Sequence, residues 1–118
     1  MRDFSKLDIW KHGIELVKEI YLLSEKLPSE EKFGLKSQIT RAAVSIPSNI
    51  AEGCSRNSEV EFKRFLEIAM GSLFELETQL IITQELGFIK PEVLESVFGN
   101  IEKEAKMINS LISKIKNS

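Results

Sequence analysis

Hydrophobic residues recur at alternating intervals of three and four along most of the chain, and this pattern predicts α-helices that each bury one stripe. Four such segments are separated by short stretches that contain glycine, proline or serine. The predicted helices cover about residues 6–26, 35–55, 59–86 and 91–116. No segment alternates with the period of two that a strand requires. The sequence therefore predicts an all-α fold, an antiparallel up-down-up-down four-helix bundle that residues 1–118 form as a single domain.

Several helix ends carry their own local signals. Ser58 followed by Glu61 is the capping-box pattern for the start of the third helix. Gly87 predicts a left-handed cap after that helix, and Pro91 suits the first position of the fourth. Ser5 with Asp8 predicts the cap of the first helix. These signals place the helices in a chain with short reversals, as an antiparallel bundle requires.

The second predicted helix combines a core stripe with a row of short polar residues. Pro47 lies inside this helix, where it removes one hydrogen bond and predicts a kink rather than an end. Short side chains allow a neighbouring backbone to come close, and Gly71 in the third helix is interpreted in the same way. The polar row is interpreted as part of a network between helices, with a solvated surface as the alternative. Its members are Gln38, Arg41, Ser45, Ser48, Asn49 and Glu52, with Ser72, Glu75 and Gln79 on an edge of the third helix.

The first predicted helix is apolar over more than half its circumference, because it carries two hydrophobic stripes. One stripe consists of Leu7, Trp10, Ile14, Val17 and Tyr21, and the other of Ile9, Leu16, Ile20, Leu23 and Leu27. Two interpretations remain open: the surplus forms a subunit interface, or this helix lies deeper in its own core. Under the first interpretation, the candidate interface residues are Ile9, Leu16, Ile20, Leu23, Ser45, Ser48, Glu52, Ser72 and Glu75.

Few residues offer catalytic or metal-binding chemistry. The single histidine, His12, and the single cysteine, Cys54, exclude an internal disulfide, a zinc site and the glutamate–histidine sites of di-iron bundles. His12 is predicted to be a half-exposed structural residue, and Cys54 a buried or half-buried thiol. Glu104 is placed on the solvent side of the last helix. The sequence predicts a protein that is not an enzyme and that takes no cofactor or small-molecule substrate.

Charge and hydropathy limit the partners of the chain. The net charge is −2, whereas a general binder of nucleic acid is usually strongly basic. A local excess of positive charge does lie between positions 32 and 64, and the candidate nucleic-acid-binding residues there are Lys36, Arg41, Arg56, Lys63 and Arg64. No apolar run is long enough to span a membrane, and the first residues lack the apolar segment of a secretion signal. A cytoplasmic location without membrane contact is expected.

One segment of the second helix, with several shorter motifs, carries a family resemblance. Residues 38–53 read QITRAAVSIPSNIAEG and are followed by Arg56. The other motifs are Leu7 with Trp10, Phe33-Gly34-Leu35, and the run from Ile68 to Leu73 with Glu75 and Thr78. Together these residues resemble the four-helix bundle family of 23S ribosomal RNA intervening-sequence proteins.

The resemblance implies a bacterial bundle that assembles as a homopentamer, is encoded in some members inside inserts of ribosomal RNA genes, and has no established enzymatic activity. A related branch, the accessory variability determinant of diversity-generating retroelements, is a basic pentamer that partners a reverse transcriptase and binds nucleic acid. This chain differs from that branch in its negative net charge and in Thr40, where many relatives have a second arginine. The first hypothesis is therefore a non-enzymatic, homo-oligomeric scaffold, pentameric by this resemblance. The alternative is an accessory protein that binds RNA or DNA and partners a nucleic-acid enzyme such as a reverse transcriptase.

Overall fold

The structure, a computed structural model, describes residues 1–116 and consists of four long helices with two short 3₁₀ turns. The helices are α1 (Asp8–Ser24), α2 (Leu35–Cys54), α3 (Glu59–Glu85) and α4 (Pro91–Lys116), and the 3₁₀ turns are Phe4–Lys6 and Ser29–Glu31. No strand occurs in the described part of the chain, so the prediction of an all-α fold is confirmed. Positions 117 and 118, the end of the predicted domain, lie outside the described residues.

The four helices pack around one hydrophobic core in the order of an up-down bundle. Each helix contacts its neighbours in sequence, and α4 closes the ring by packing on α1. Since the connections are too short to cross the length of the molecule, successive helices run antiparallel. The bundle measures 45 × 23 × 20 Å, and its longest dimension matches the roughly 40 Å expected for a helix of the length of α3.

The local end signals were correct for three of the four positions named in the sequence analysis. Ser58 Oγ accepts a hydrogen bond from the Glu61 N–H at 3.1 Å, Gly87 has a φ of +74° after α3, and Pro91 is the first residue of α4. The predicted cap by Ser5 is wrong, because α1 begins at Asp8 without a side-chain cap. Both the N–H and the hydroxyl of Ser5 donate to Asp3, which caps the preceding 3₁₀ turn instead.

The stripe of α1 proposed as a subunit interface is part of the core of the single chain. Leu16 and Ile20 are 1% and 0% exposed, and Ile9 and Leu23 are also buried. These four residues are therefore corrected from interface to core. The physical reason is the rotation of α1, which points this stripe at the bundle axis and leaves Trp10, Ile14 and Val17 half-buried on the side toward α2, with Tyr21 exposed.

Glycine positions distinguish two kinds of helix contact. A Cβ built on Gly53 would lie 2.8 Å from Phe65 Cβ and 3.2 Å from Phe62 Cδ1, so α2 and α3 touch closely where α2 ends. Gly71 does not have the predicted close neighbour, because nothing lies within 4 Å of a Cβ built there. Of these two glycines, Gly53 on α2 is the one that lies close to the neighbouring helix, and small residues of α2 line the core.

None of the helices in the described part of the chain is long and apolar enough to cross a membrane.

Candidate functional site

Glu104 is a carboxylic acid inside the hydrophobic core, and its predicted place on the solvent side of α4 is wrong. Its side chain is 0% exposed. A signal for this burial was present in the sequence, because Val97 and Leu111 lie one heptad before and after it on the same line of the helix. This line of α4 faces α1 in the bundle, so the Glu104 side chain is buried in the core together with the apolar residues beside it.

The partner of Glu104 is His12 on α1. A hydrogen bond joins His12 Nδ1 and Glu104 Oε1 at 2.8 Å, and the histidine ring is half-buried as predicted. The second carboxyl oxygen, Oε2, is buried and has no hydrogen-bond partner in the protein. It lies 3.3 Å from a Cβ built on Gly13, while Pro47 on α2 lies 3.4 Å from the same point. The missing side chain at Gly13 thus leaves the space that the carboxyl group occupies.

Other polar contacts between the same two helices surround this pair. Glu19 on α1 accepts hydrogen bonds from Asn100 Nδ2 at 2.8 Å and from Ser96 Oγ at 3.1 Å, both on α4. We call this polar contact, formed by His12, Glu19, Ser96, Asn100 and Glu104, the α1–α4 seam. The α2–α3 contact, in contrast, has a single side-chain hydrogen bond among the described residues, from Gln79 Nε2 to Gln38 Oε1 at 3.4 Å.

Burial keeps the two groups of the pair neutral near pH 7. Desolvation raises the pKa of Glu104 to about 8. Desolvation also lowers the pKa of His12, and Lys103 adds to this effect, against the opposing influence of Asn100, Glu19 and Glu15. The contact is therefore a hydrogen bond between a carboxylic acid and a neutral imidazole rather than an ion pair.

These shifts determine how the pair affects stability. The pKa of Glu104 is raised on folding, so its contribution is complete below the ordinary value of 4.5 and is lost as pH rises through about 8. The pKa of His12 is lowered, so its contribution is present above the ordinary 6.5 and is lost as pH falls below that value. Above neutral pH the Glu104 effect dominates, because His12 is then neutral in both the folded and unfolded states.

The pair does not resemble a catalytic or metal centre in its surroundings. A shallow cleft of about 420 Å³ passes the His12 ring between Lys11 and Lys103, but Glu104 does not line it. In the described part of the chain, no group of three His, Cys, Asp or Glu side chains could hold a metal ion. The chemistry that this arrangement offers is the gain or loss of one proton inside the core.

The five candidate nucleic-acid-binding residues do not form one patch. Lys36 and Arg41 lie in the first half of α2, whereas Arg56 follows α2 and Lys63 and Arg64 lie in the first two turns of α3. At about 1.5 Å per residue, Lys36 is about 30 Å and Arg41 about 22 Å from Arg56 along the helix axis. Two of the five are paired with acids: Lys36 Nζ lies 3.6 Å from Glu25, and Arg56 lies 3.2 Å from Glu52 while its guanidinium covers the Phe65 ring.

The predicted polar network between α2 and α3 is mostly replaced by contacts within each helix. Ser45 donates its hydroxyl to the Ala42 carbonyl, and Glu52 pairs with Arg56, which follows the same helix. Ser48 and Glu75 are exposed, and Ser72 is half-buried. Of the predicted network, the hydrogen bond from Gln79 to Gln38 is the one that links the two helices among the described residues.

Helix α3 carries an exposed apolar surface that the sequence analysis missed. Phe74 is 55% exposed, and Ile81 and Ile82 are nearly as open. The signal was available, because these residues add apolar positions to α3 outside its core stripe. We call this surface the α3 outer face, and its members are Val60, Ile68, Phe74, Ile81 and Ile82.

Comparison with known proteins identifies a family and includes a crystal structure of a similar protein. The family model described as 23S rRNA-intervening sequence protein matches residues 5–110. A crystal structure at 1.70 Å of a protein with unknown function from the S23 ribosomal protein family of Bacteroides thetaiotaomicron is similar over 88% of this chain and 97% of that one, with 28% identity and a TM-score of 0.81. None of the curated proteins matches the chain.

Proposed function

This chain belongs to the 23S rRNA-intervening sequence protein family, and on that premise we propose that it acts in the cytoplasm as a non-enzymatic, homo-oligomeric helical scaffold. The family is not a known enzyme family, and the similar structure is of a protein with unknown function. The observation that carries the proposal is the α3 outer face.

The α3 outer face exposes large apolar side chains to water, beside the exposed charges of Arg64, Glu67 and Glu75. Exposed apolar side chains grouped on one surface are typical of a contact with a partner, and a single chain covers only the inner side of α3. Ile68 and Ile82 are each 43% exposed and lie one heptad before and after Glu75. A second copy of the chain would remove these side chains from water, and each large apolar side chain buried in this way contributes roughly 1.5–3 kcal/mol.

A second apolar surface lies on the opposite side of the molecule. Trp10, Ile14 and Val17 of α1 and Val44 of α2 line a groove of about 300 Å³ that passes Pro47. Because α1 and α3 are diagonal in the bundle, one chain presents the groove and the α3 outer face in different directions. Contact between two different surfaces is heterologous and closes into a ring when the rotation between copies permits. The number five rests on the family resemblance.

The polar residues among the interface candidates differ in their exposure. Glu75 lies between Ile68 and Ile82 on α3, and Ser48 lines the apolar groove. Glu52 is exposed on the outer side of α2. Ser45 and Ser72 are half-buried between helices of the same chain, so their contribution to an interface would be indirect.

Light scattering at micromolar concentration is expected to give the mass of a pentamer for the wild type. The double variant Phe74→Glu/Ile81→Glu is expected to have the mass of a single chain with unchanged helicity, because both side chains are already open to water in the chain itself. Val93→Glu is the matched control, since Val93 is an exposed apolar residue on α4, outside the α3 outer face. A wild-type particle with the mass of one chain would contradict the scaffold proposal.

The alternative function, nucleic-acid binding, is supported only by the three basic residues at the α2–α3 turn. Arg56, Lys63 and Arg64 share this end with Glu52 and Glu59, and Arg2 there is bound to Glu59 at 2.6 Å. We expect filter binding with a structured RNA to show no retention even at low salt, because Arg56 is already paired with Glu52 and the two other cations, Lys63 and Arg64, would release few counterions from the phosphates. Retention with a steep dependence on salt, lost in Lys63→Ala/Arg64→Ala, would favour the accessory protein instead.

A further inference from the structure

We propose that the His12–Glu104 pair makes the α1–α4 seam a proton-dependent latch, which is closed while Glu104 holds its proton and opens when the carboxyl group loses it. The inference concerns the core contact of one chain and does not depend on self-association. It rests on the geometry of the buried carboxyl, on the charges around it, and on the difference between this contact and the other helix contacts.

The space around Glu104 suits a neutral carboxyl and not a carboxylate. A carboxylate needs hydrogen-bond donors on both oxygens, but only Oε1 has a partner here, His12 Nδ1. Oε2 faces Gly13, beside the ring of Pro47. Pro47 has no N–H to donate. An ionised Glu104 would therefore leave a buried, unsatisfied charge, which is among the most costly defects in a core.

The charged groups near the pair do not offset that cost. Glu15 and Glu19 on α1 and Lys103 on α4 are the groups that influence the His12 ring, and α2 presents the uncharged Pro47 to the site. Lys103 acts on the ring from its exposed side and disfavours the imidazolium. An ionised Glu104 at 2.8 Å would favour a proton on the His12 ring, so the pair shares one proton, and the carboxylate lacks a positive neighbour once that proton has gone to solvent. Separation of the helices is then the way to hydrate the carboxylate.

The α1–α4 seam is the contact that can open at least cost. Its outer hydrogen bonds, from Asn100 and Ser96 to Glu19, lie at the surface, where water replaces them readily. The α2–α3 contact is apolar and interlocked at Gly53 against Phe62 and Phe65, so separating it would expose core side chains. Loss of the proton is therefore expected to release α1 from α4 while α2 and α3 stay packed.

Amide hydrogen exchange, corrected for intrinsic rates and followed from pH 6.5 to 8.5, tests the latch in the intact chain. Protection of α1 amides is expected to fall about tenfold for each pH unit up to about 8 and then level off. Every opening that exposes Glu104, global unfolding included, follows the same slope, so α2 and α3 are expected to stay better protected than α1 at each pH. Glu104→Gln, which stays neutral, is expected to keep α1 protected throughout. Glu102→Gln, one half-turn away and exposed, is the matched control and should behave as the wild type.

Two results would overturn the proposal. One is α1 protection equal to that of α2 and α3 across the pH range, which would show that α1 opens only by global unfolding and that there is no latch. The other is a Glu104→Gln variant whose α1 amides respond to pH as those of the wild type do. Should that variant fail to fold, the comparison between helices in the wild type decides the question by itself.

Discussion

Leu16→Glu is expected to unfold the chain and not merely to dissociate an assembly. Leu16 is 1% exposed and lies in the hydrophobic core, among apolar side chains. The substitution removes a buried side chain worth about 2–5 kcal/mol and adds the desolvation of a charge. The sum is comparable with the whole stability of a small domain, about 5–15 kcal/mol.

Circular dichroism and urea unfolding would measure this effect. Leu22→Glu is the matched control on the same helix, because Leu22 is 74% exposed and should lose neither helicity nor stability. A Leu16→Glu protein that kept its helicity but had the mass of one chain would show that this stripe of α1 forms a subunit interface. That result would contradict the burial of Leu16 in the core of the single chain.

Gly53→Ala is expected to destabilise the bundle by about 1–3 kcal/mol, because the new methyl group has no room between α2 and α3. Its carbon would lie 2.8 Å from Phe65 Cβ, an atom fixed to the backbone of α3, and 3.4 Å from the Phe62 carbonyl oxygen. Neither neighbour is the end of a flexible side chain that could turn away. The two helices must separate locally, which weakens the contact that closes the α2–α3 turn.

Thermal unfolding of Gly53→Ala would show this as a melting temperature lower by roughly 5–15 °C. Gly99→Ala is the matched control, since Gly99 lies within α4 with nothing inside 4 Å of the added carbon. That variant should gain up to about 1 kcal/mol from helix propensity. Equal effects of the two substitutions would mean that the close approach at Gly53 is relieved at no cost.

The helices and most of their ends could be predicted from the sequence, because the signals are local. The three-four spacing along α3 and the Ser58–Glu61 cap depend on residues within one or two turns of each other. The Ser5 cap failed for a reason that is local too, since Asp3 competed for the same groups. Pro47 stayed inside α2 because the residues around it bury a continuous stripe.

The site residues were harder to predict, because they depend on how each helix is rotated about its axis. Each of the two stripes of α1 has the spacing of a buried helix face. Packing against α2 and α4 alone decided that Leu16 points inward and Trp10 outward. Glu104 has an apolar residue one heptad away on each side, but its burial also needed the space at Gly13, 91 positions earlier in the chain.

The sequence by itself determined that this protein is a bundle of four helices from the 23S rRNA-intervening sequence family, since hydrophobic period and motif are properties of short segments. The tertiary structure alone decided which surfaces remain free and which acid lies in the core. Burial is a property of pairs of helices, and the free energy that sets their rotation is summed over residues far apart in the chain. For that reason the sequence carried signals for Glu104 and for the α3 outer face, but the folded protein was needed to show the His12–Glu104 contact and which apolar residues of α3 stay exposed.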